Sequence, residues 1–239
     1  MSTQLTGAIT VVAQQLHSES STALHDIGSL VHSNDGRSYR YCKAGGTALV
    51  AGKLQQSSAE DTTNFQNLTC AVSSAGATSI TTTSTVTLTA NKLAGGLLTV
   101  TAATTGAGFL YKIKSHAAAT AAVVTFNLED PVVVATTGTV TIDAAPNPYS
   151  AVIVNPTTAS SAAIGVAIYN ITAAYYGWLQ VGGVASILND GGSTVGTNVS
   201  ASNATAGAVE AAVTAQGAIG IALTGVATTE YGLVKLFGL

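Results

Sequence analysis

Apolar and polar positions alternate with period two through most of this chain, interrupted at short intervals by Gly, Asn, Asp and Pro. That period sends successive side chains to opposite faces of an extended strand. Gly28 to Ser33 reads as a strand, Asn34-Asp35-Gly36 as a tight turn and Arg37 to Lys43 as the returning strand, because Asn and Gly tolerate the positive φ that hairpin turns need. On the return strand Arg37, Tyr39, Tyr41 and Lys43 share one face, and Arg40 and Cys42 share the other. Gly45-Gly46 turns the chain again before Thr47 to Leu54. From Thr78 onward strand signals are dense. Thr78 to Thr89 is β-branched; Leu97 to Ala102, Phe109 to Lys114, Ala122 to Leu128 and Thr139 to Ile142 follow, each bounded by turn residues. Ala151 to Val154, Ile164 to Ile171, Gly177 to Val181, Val184 to Leu188, Ala218 to Leu223 and Leu233 to Phe237 complete the series.

Short strands separated by turn residues predict an all-β fold, a sandwich or barrel and not a βαβ sheet. Two segments stand outside that pattern. Ile9 to Leu16 suits either a short helix or an extended arm, and Thr205 to Ala215 reads as one short helix, weakened by Gly207 and its valines. No fixed repeat carries the Thr-rich stretch forward, so a solenoid is not expected. The organisation expected is an N-terminal arm and hairpin over residues 1–60, a first β-rich subdomain over 61–150 and a second, barrel-like one over 151–239.

Composition narrows the function classes. Of 239 residues, 47% are hydrophobic but only 8% are charged and 5% aromatic, with a net charge of −3. The apolar count rests on Ala and Val interleaved with Thr, Ser and Gly. The longest uncharged stretch, Ala144 to Asn189, is broken by Pro146, Pro148, Pro156, Asn155, Asn170 and Gln180 and gives no membrane-spanning run. Eight dispersed basic residues under a negative balance argue against nucleic acid as partner. Met1 to Gln4 carries no basic residue and Leu5 to Ala13 is interrupted by Thr and Gly, so no secretory leader is read and synthesis in the cytoplasm is expected. Cys42 and Cys70 form no CxxC pair and are expected to be free, buried thiols.

The chain offers little recognisable catalytic chemistry. Gly192-Ser-Thr-Val-Gly196 has its serine misplaced for a nucleophile elbow. Gly46 to Gly52-Lys53 has one residue too many for a phosphate loop, and Leu54 stands where Ser or Thr is required. His17, His25 and His32 are spaced too widely for a compact metal site, and Glu129-Asp130-Pro131 reads as a strand-ending turn. No enzyme activity, cofactor or metal is expected. Two aromatic sites remain. Tyr175-Tyr176-Gly177-Trp178 holds the only tryptophan, which is expected to be buried with Tyr175 or Tyr176 beside it. Arg37, Tyr39, Arg40, Tyr41 and Lys43 combine the residue types that anchor interfaces and are the expected partner-binding residues.

The segment Leu24 to Gly45, with its Asp-Gly-Arg, Tyr-Arg-Tyr and Lys-Ala-Gly motifs, resembles a stretch found in structural proteins of tailed-phage heads. Tyr111 to His116, Leu128 to Pro131, Asn147-Pro-Tyr149, Tyr176 to Gly183 and Ala218 to Leu223 are similar to further segments of phage capsid decoration, or cement, proteins. The resemblance implies a β-rich virion protein on the capsid exterior, with the major capsid protein as partner and no enzyme activity. It also implies a homo-oligomer, a trimer in preference to a dimer. The N-terminal segment up to about Leu54 is expected to carry the attachment. The competing class is a tail-fibre or adhesin module binding a host receptor; such a module would show a repeated shaft motif or an aromatic-dense tip, and neither is visible.

Overall fold

The structure, a computed structural model, describes residues 13–59, 61–212 and 217–239. Among them the chain is nearly all β, with two one-turn helices. No helix among the described residues is long and apolar enough to cross a membrane. The chain divides into two compact units, one formed by the segment up to Ala59 with Pro148–Leu239, the other by Glu60–Asn147.

In chain order the first unit opens with α1 (Ala13–Leu16), β1 (Leu30–His32), β2 (Ser38–Lys43) and β3 (Leu54–Gln56). The inserted unit holds α2 (Thr62–Phe65), β4 (Leu68–Cys70), β5 (Ser79–Thr81), β6 (Val86–Leu88), β7 (Leu97–Ala102), β8 (Leu110–His116), β9 (Ala119–Ala122), β10 (Thr125–Leu128) and β11 (Val140–Ala145). The first unit resumes with β12 (Ile153–Val154), β13 (Ala163–Ala167), β14 (Tyr176–Leu188), β15 (Asn198–Ala201), β16 (Val209–Ala211), β17 (Gly220–Ala222) and β18 (Tyr231–Leu236).

The inserted unit is a nearly closed six-stranded barrel in the order β4-β11-β7-β8-β10-β5. Its edge strands meet: Ala71 N–H donates to Thr81 O at 3.0 Å and Thr83 N–H to Thr69 O at 2.7 Å. Closure removes the open edges on which other chains could add. Leu98, Ile113, Phe126 and Ile142, none measurably exposed, fill the interior. Outward positions include threonines that pair across strands, Thr81 with Thr125 and Thr101 with Thr141, each at 2.9 Å. Hydroxyl pairs on β-branched side chains suit a wet sheet face without charge. The Thr-rich composition is thereby accounted for. His116 is buried, its Nε2 accepting the Leu93 N–H at 3.0 Å and its Nδ1 lying 2.8 Å from Ala117 O.

The first unit is organised on β14. Its first half pairs with β2, with Trp178 opposite Tyr41 and Gln180 opposite Tyr39, and its second half pairs with β18. The two strands expected at Gly177 to Val181 and Val184 to Leu188 are therefore one. Gly182-Gly183 is a bulge, not a turn: the β2 register shifts there, and Gly183 sits at φ +79°, where a Cβ would stand 2.8 Å from Gly36 O. The path runs β12-β3-β13-β14-β18-β17-β15-β16. It curls back on itself, since Leu54 N–H donates to Gly207 O at 2.7 Å and Gly207 N–H to Asn155 O at 2.8 Å. The helix expected at Thr205 to Ala215 is not formed within the described residues. Val209 and Ala211 pair with Ala201 and Val199 instead, and Val209 is buried in the core. Residues 213–215 lie outside the described residues, as do residues 9–12 of the expected arm; Ala13–Leu16 is helical.

The division into units differs from the three parts expected. β2 pairs with β14 and β3 with β12 and β13, so the N-terminal hairpin folds with the C-terminal strands as one body.

Candidate functional site

The hairpin β1–β2 forms as its turn sequence requires: Gly36 takes φ +83° and Leu30, Val31 and His32 pair with Arg40, Tyr39 and Ser38. The five residues expected to bind a partner separate into two kinds. Tyr39 and Tyr41 are only 1% and 2% exposed and belong to a core cluster with Val31 and Trp178. Arg37, Arg40 and Lys43 are half-buried, with their charged ends toward solvent or an aromatic face. The guanidinium carbon of Arg37 lies 5.8 Å from the Tyr39 ring, that of Arg40 5.5 Å from the Tyr149 ring, and Lys43 Nζ 5.4 Å from the Tyr176 ring. The tyrosines thus support the cations from beneath and do not themselves offer a surface.

Burial of the tyrosines has a clear origin. β2 is covered along one edge by β14 and along the other by β1, and the preceding segment lies over the ring face. Leu24 N–H donates to Tyr41 Oη at 3.0 Å, and Ser20 and Tyr176 exchange backbone bonds at 3.0 and 2.8 Å. His25 packs its ring 5.2 Å from Tyr41 and 5.3 Å from Trp178. Trp178 is 2% exposed, with Tyr41 at 5.0 Å, and Tyr176 stacks on Tyr41 at 6.1 Å. Burial raises the phenol pKa of both Tyr39 and Tyr41.

Arg40 and Arg37 differ in what their removal would do. Arg40 Nη1 donates to Gly28 O at 2.7 Å and so ties β2 to the segment before β1. Arg37 bonds Asp35 of its own turn through Nε and Nη2 at 2.7 Å each and otherwise lies over the Tyr39 ring. Those bonds, then one from Ser33, hold the Asp35 carboxyl down at about 2. A carboxyl lowered in the folded chain stabilises it above the ordinary value of about 3.9, and that contribution is lost as pH falls through the folded value. NMR titration of the Asp35 carboxyl carbon should give a midpoint near 2, moving up toward the ordinary carboxyl range in Arg37→Ala. A midpoint near 4 in the wild type would contradict the pairing.

The other residues with ligand-type chemistry do not converge. His17 and His32 are exposed, His32 Nδ1 lying 2.9 Å from Ser38 Oγ, and Glu129 and Asp130 are exposed where β10 ends. Among the described residues no group of three or more His, Cys, Asp or Glu comes together in a way that could hold a metal ion. Cys42 and Cys70 are free and buried.

Sequence reading passed over the outward side of β18. Its residues alternate exposed and buried, so Tyr231, Leu233 and Lys235 face outward while Val234 and Leu236 enter the core. Tyr231 and Leu233 are 51% and 44% exposed. They border a groove of about 470 Å³ that also reaches Val184, Gln180 and Arg37. The alternation Tyr-Gly-Leu-Val-Lys-Leu carried this signal, and the missing datum was which parity faces the core. Comparison of the chain with protein-family models, curated proteins and solved structures finds no match to any of them.

Proposed function

We propose that this chain is a structural virion protein that binds the outer surface of a tailed-phage capsid and stabilises contacts between its subunits. The observation that carries the reading is where the resembling segments lie. Leu24 to Gly45 and Tyr176 to Gly183 are distant in sequence yet pair in register along β2 and β14, and Ala218 to Leu223 supplies β17 of the same sheet. In the inserted unit, Tyr111 to His116 and Leu128 to Pro131 meet in the same way, Leu128 opposite Ile113 and Glu129 N–H donating to Lys112 O at 2.9 Å. The resemblance is thus one of framework. A cement protein requires a rigid framework with a water-compatible exterior, and paired threonines on a curled sheet supply one with only 8% charged residues, against about 25% in an ordinary globular domain.

Attachment is assigned to the first unit, with Arg37 and Lys43 as half-buried cations held over Tyr39 and Tyr176. Copies engaging together would multiply weak individual contacts by avidity, which suits a homo-oligomer on a symmetric shell. The test is co-sedimentation with undecorated heads of the source phage. The full chain should saturate at a fixed stoichiometry, and Arg37→Ala should weaken binding while leaving the fold intact, because the pair it breaks with Asp35 is solvent-exposed. Removal of residues 1–12 tests the N-terminal contribution and leaves every described strand intact, whereas removal through Ser33 would delete β1. Heads that stay bare at saturating protein would refute the reading.

A further inference from the structure

We infer that the outer face of the sheet around β18 is the surface that docks on the capsid protein, and that it takes a segment presenting a carboxylate between apolar side chains. This deepens the capsid reading and rests on it. The pairing registers make the face continuous. Lys235 lies between Val184 on β14 and Ile221 on β17, and Leu223 N–H donates to Leu233 O at 2.8 Å, which brings Leu223 beside Leu233. Tyr231, Leu233, Leu223 and Val184 are 40–51% exposed. Together they form a contiguous exposed apolar patch, of the kind that on an ordinary monomer is commonly functional.

In the inserted barrel two outward strand pairs are filled by threonines bonded to each other, Thr81–Thr125 and Thr101–Thr141. On the β18 face Tyr, Leu and Val occupy the equivalent outward positions. One end is shaped for contact: the Tyr231 ring lies on the bare backbone of Gly52, where a Cβ would stand 2.5 Å from it, leaving the groove open beside the ring.

Charge selects the occupant. Neither ion pair found among the described residues involves Lys235. The carboxylate nearest in sequence, Glu230, accepts the Ala227 N–H at 3.1 Å and so serves its own turn, while Arg37, which also lines the groove, is answered by Asp35. The face therefore carries one unanswered cation within apolar surroundings. Burying an unpaired ammonium is costly, whereas a carboxylate from the partner would meet it. The occupant is accordingly a partner that brings an acidic group to this face.

The experiment measures binding of wild type, Lys235→Glu, Lys235→Ala, Leu233→Ser and the control Val195→Ser to undecorated heads, with thermal midpoints and light scattering on each. All substituted side chains are exposed, Val195 at 62% and on the loop between β14 and β15, so folding should be retained. Wild type and Val195→Ser should bind alike; Lys235→Glu and Leu233→Ser should each bind at least tenfold more weakly, and Lys235→Ala should fall between. If wild type binds and the β18 variants bind equally well, this inference is wrong and the capsid reading stands. If the variants change oligomeric state but not head binding, the face is a self-contact and the inference is overturned. Wild type failing to bind would remove the capsid reading and this inference with it.

Discussion

Trp178→Ala should destabilise the first unit by about 3–5 kcal/mol, the largest loss expected from any single truncation there. Trp178 is 2% exposed, sits opposite Tyr41 in the β2–β14 ladder and touches the rings of Tyr41 and His25. Removing the indole leaves a cavity whose walls cannot collapse easily, because Tyr41 is held by the Leu24 N–H and by its own strand pairing. The segment carrying Ser20, Leu24 and His25 packs on this cluster, so its protection from amide exchange should fall as well. Urea unfolding followed by far-UV circular dichroism measures the loss. A decrease below about 1 kcal/mol would show that the cluster is not the keystone of the hairpin's attachment.

Both thiols should be almost inert in the folded chain and fully reactive once it unfolds. Burial pushes Cys42 and Cys70 up to about 12 from an ordinary value near 9. At pH 8 the reactive thiolate fraction is then reduced on the order of a thousandfold, before steric exclusion adds to the effect. The sign for stability follows. A thiol raised in the folded chain contributes stability fully below the unfolded value, and that contribution is lost as pH rises from about 9 through 12. Because Cys42 lies in the first unit and Cys70 in the inserted barrel, each reports the opening of its own unit. Aromatic disulfide reagent at pH 8 should find no thiol in minutes in the native chain and two in denaturant, with no reductant needed. Rapid labelling of either thiol in the folded state would contradict the burial, and fewer than two thiols on unfolding would contradict the free-cysteine assignment.

Much of the fold was legible because period-two alternation is local. β7 at Leu97–Ala102 matches the expected strand at both ends, and the β1–β2 hairpin followed from Asn-Asp-Gly. What escaped was set by long-range pairing. β3, β4 and β15 are only three or four residues long and carry polar side chains such as Gln55, Thr69 and Asn198, too short for any period to announce them. The Thr205 to Ala215 segment has helical composition at its alanines, yet Val209 finds a buried place opposite Ala201, and tertiary burial overrides propensity. The site was misjudged for the same reason. Tyr39 and Tyr41 look like interface anchors in isolation, and only the arrival of β14 and the segment before β1 makes them core. Arg37 stays on the hairpin turn with Asp35, and the outward parity of Tyr231, Leu233 and Lys235 became meaningful only once Val234 and Leu236 were placed inside.

The capsid reading and the framework argument converge on one physical expectation: this chain occupies the outside of a shell and touches it through its first unit, through the face that joins Arg37 to β18. The most direct measurement is a pair of cryo-EM reconstructions of the same heads, one with the chain and one without. The account predicts added density on the outer surface of the decorated heads, into which the two β units fit with Tyr231, Leu233 and Lys235 against the capsid protein. Identical reconstructions at saturating protein, or density that contacts the shell only through the inserted barrel, would contradict it.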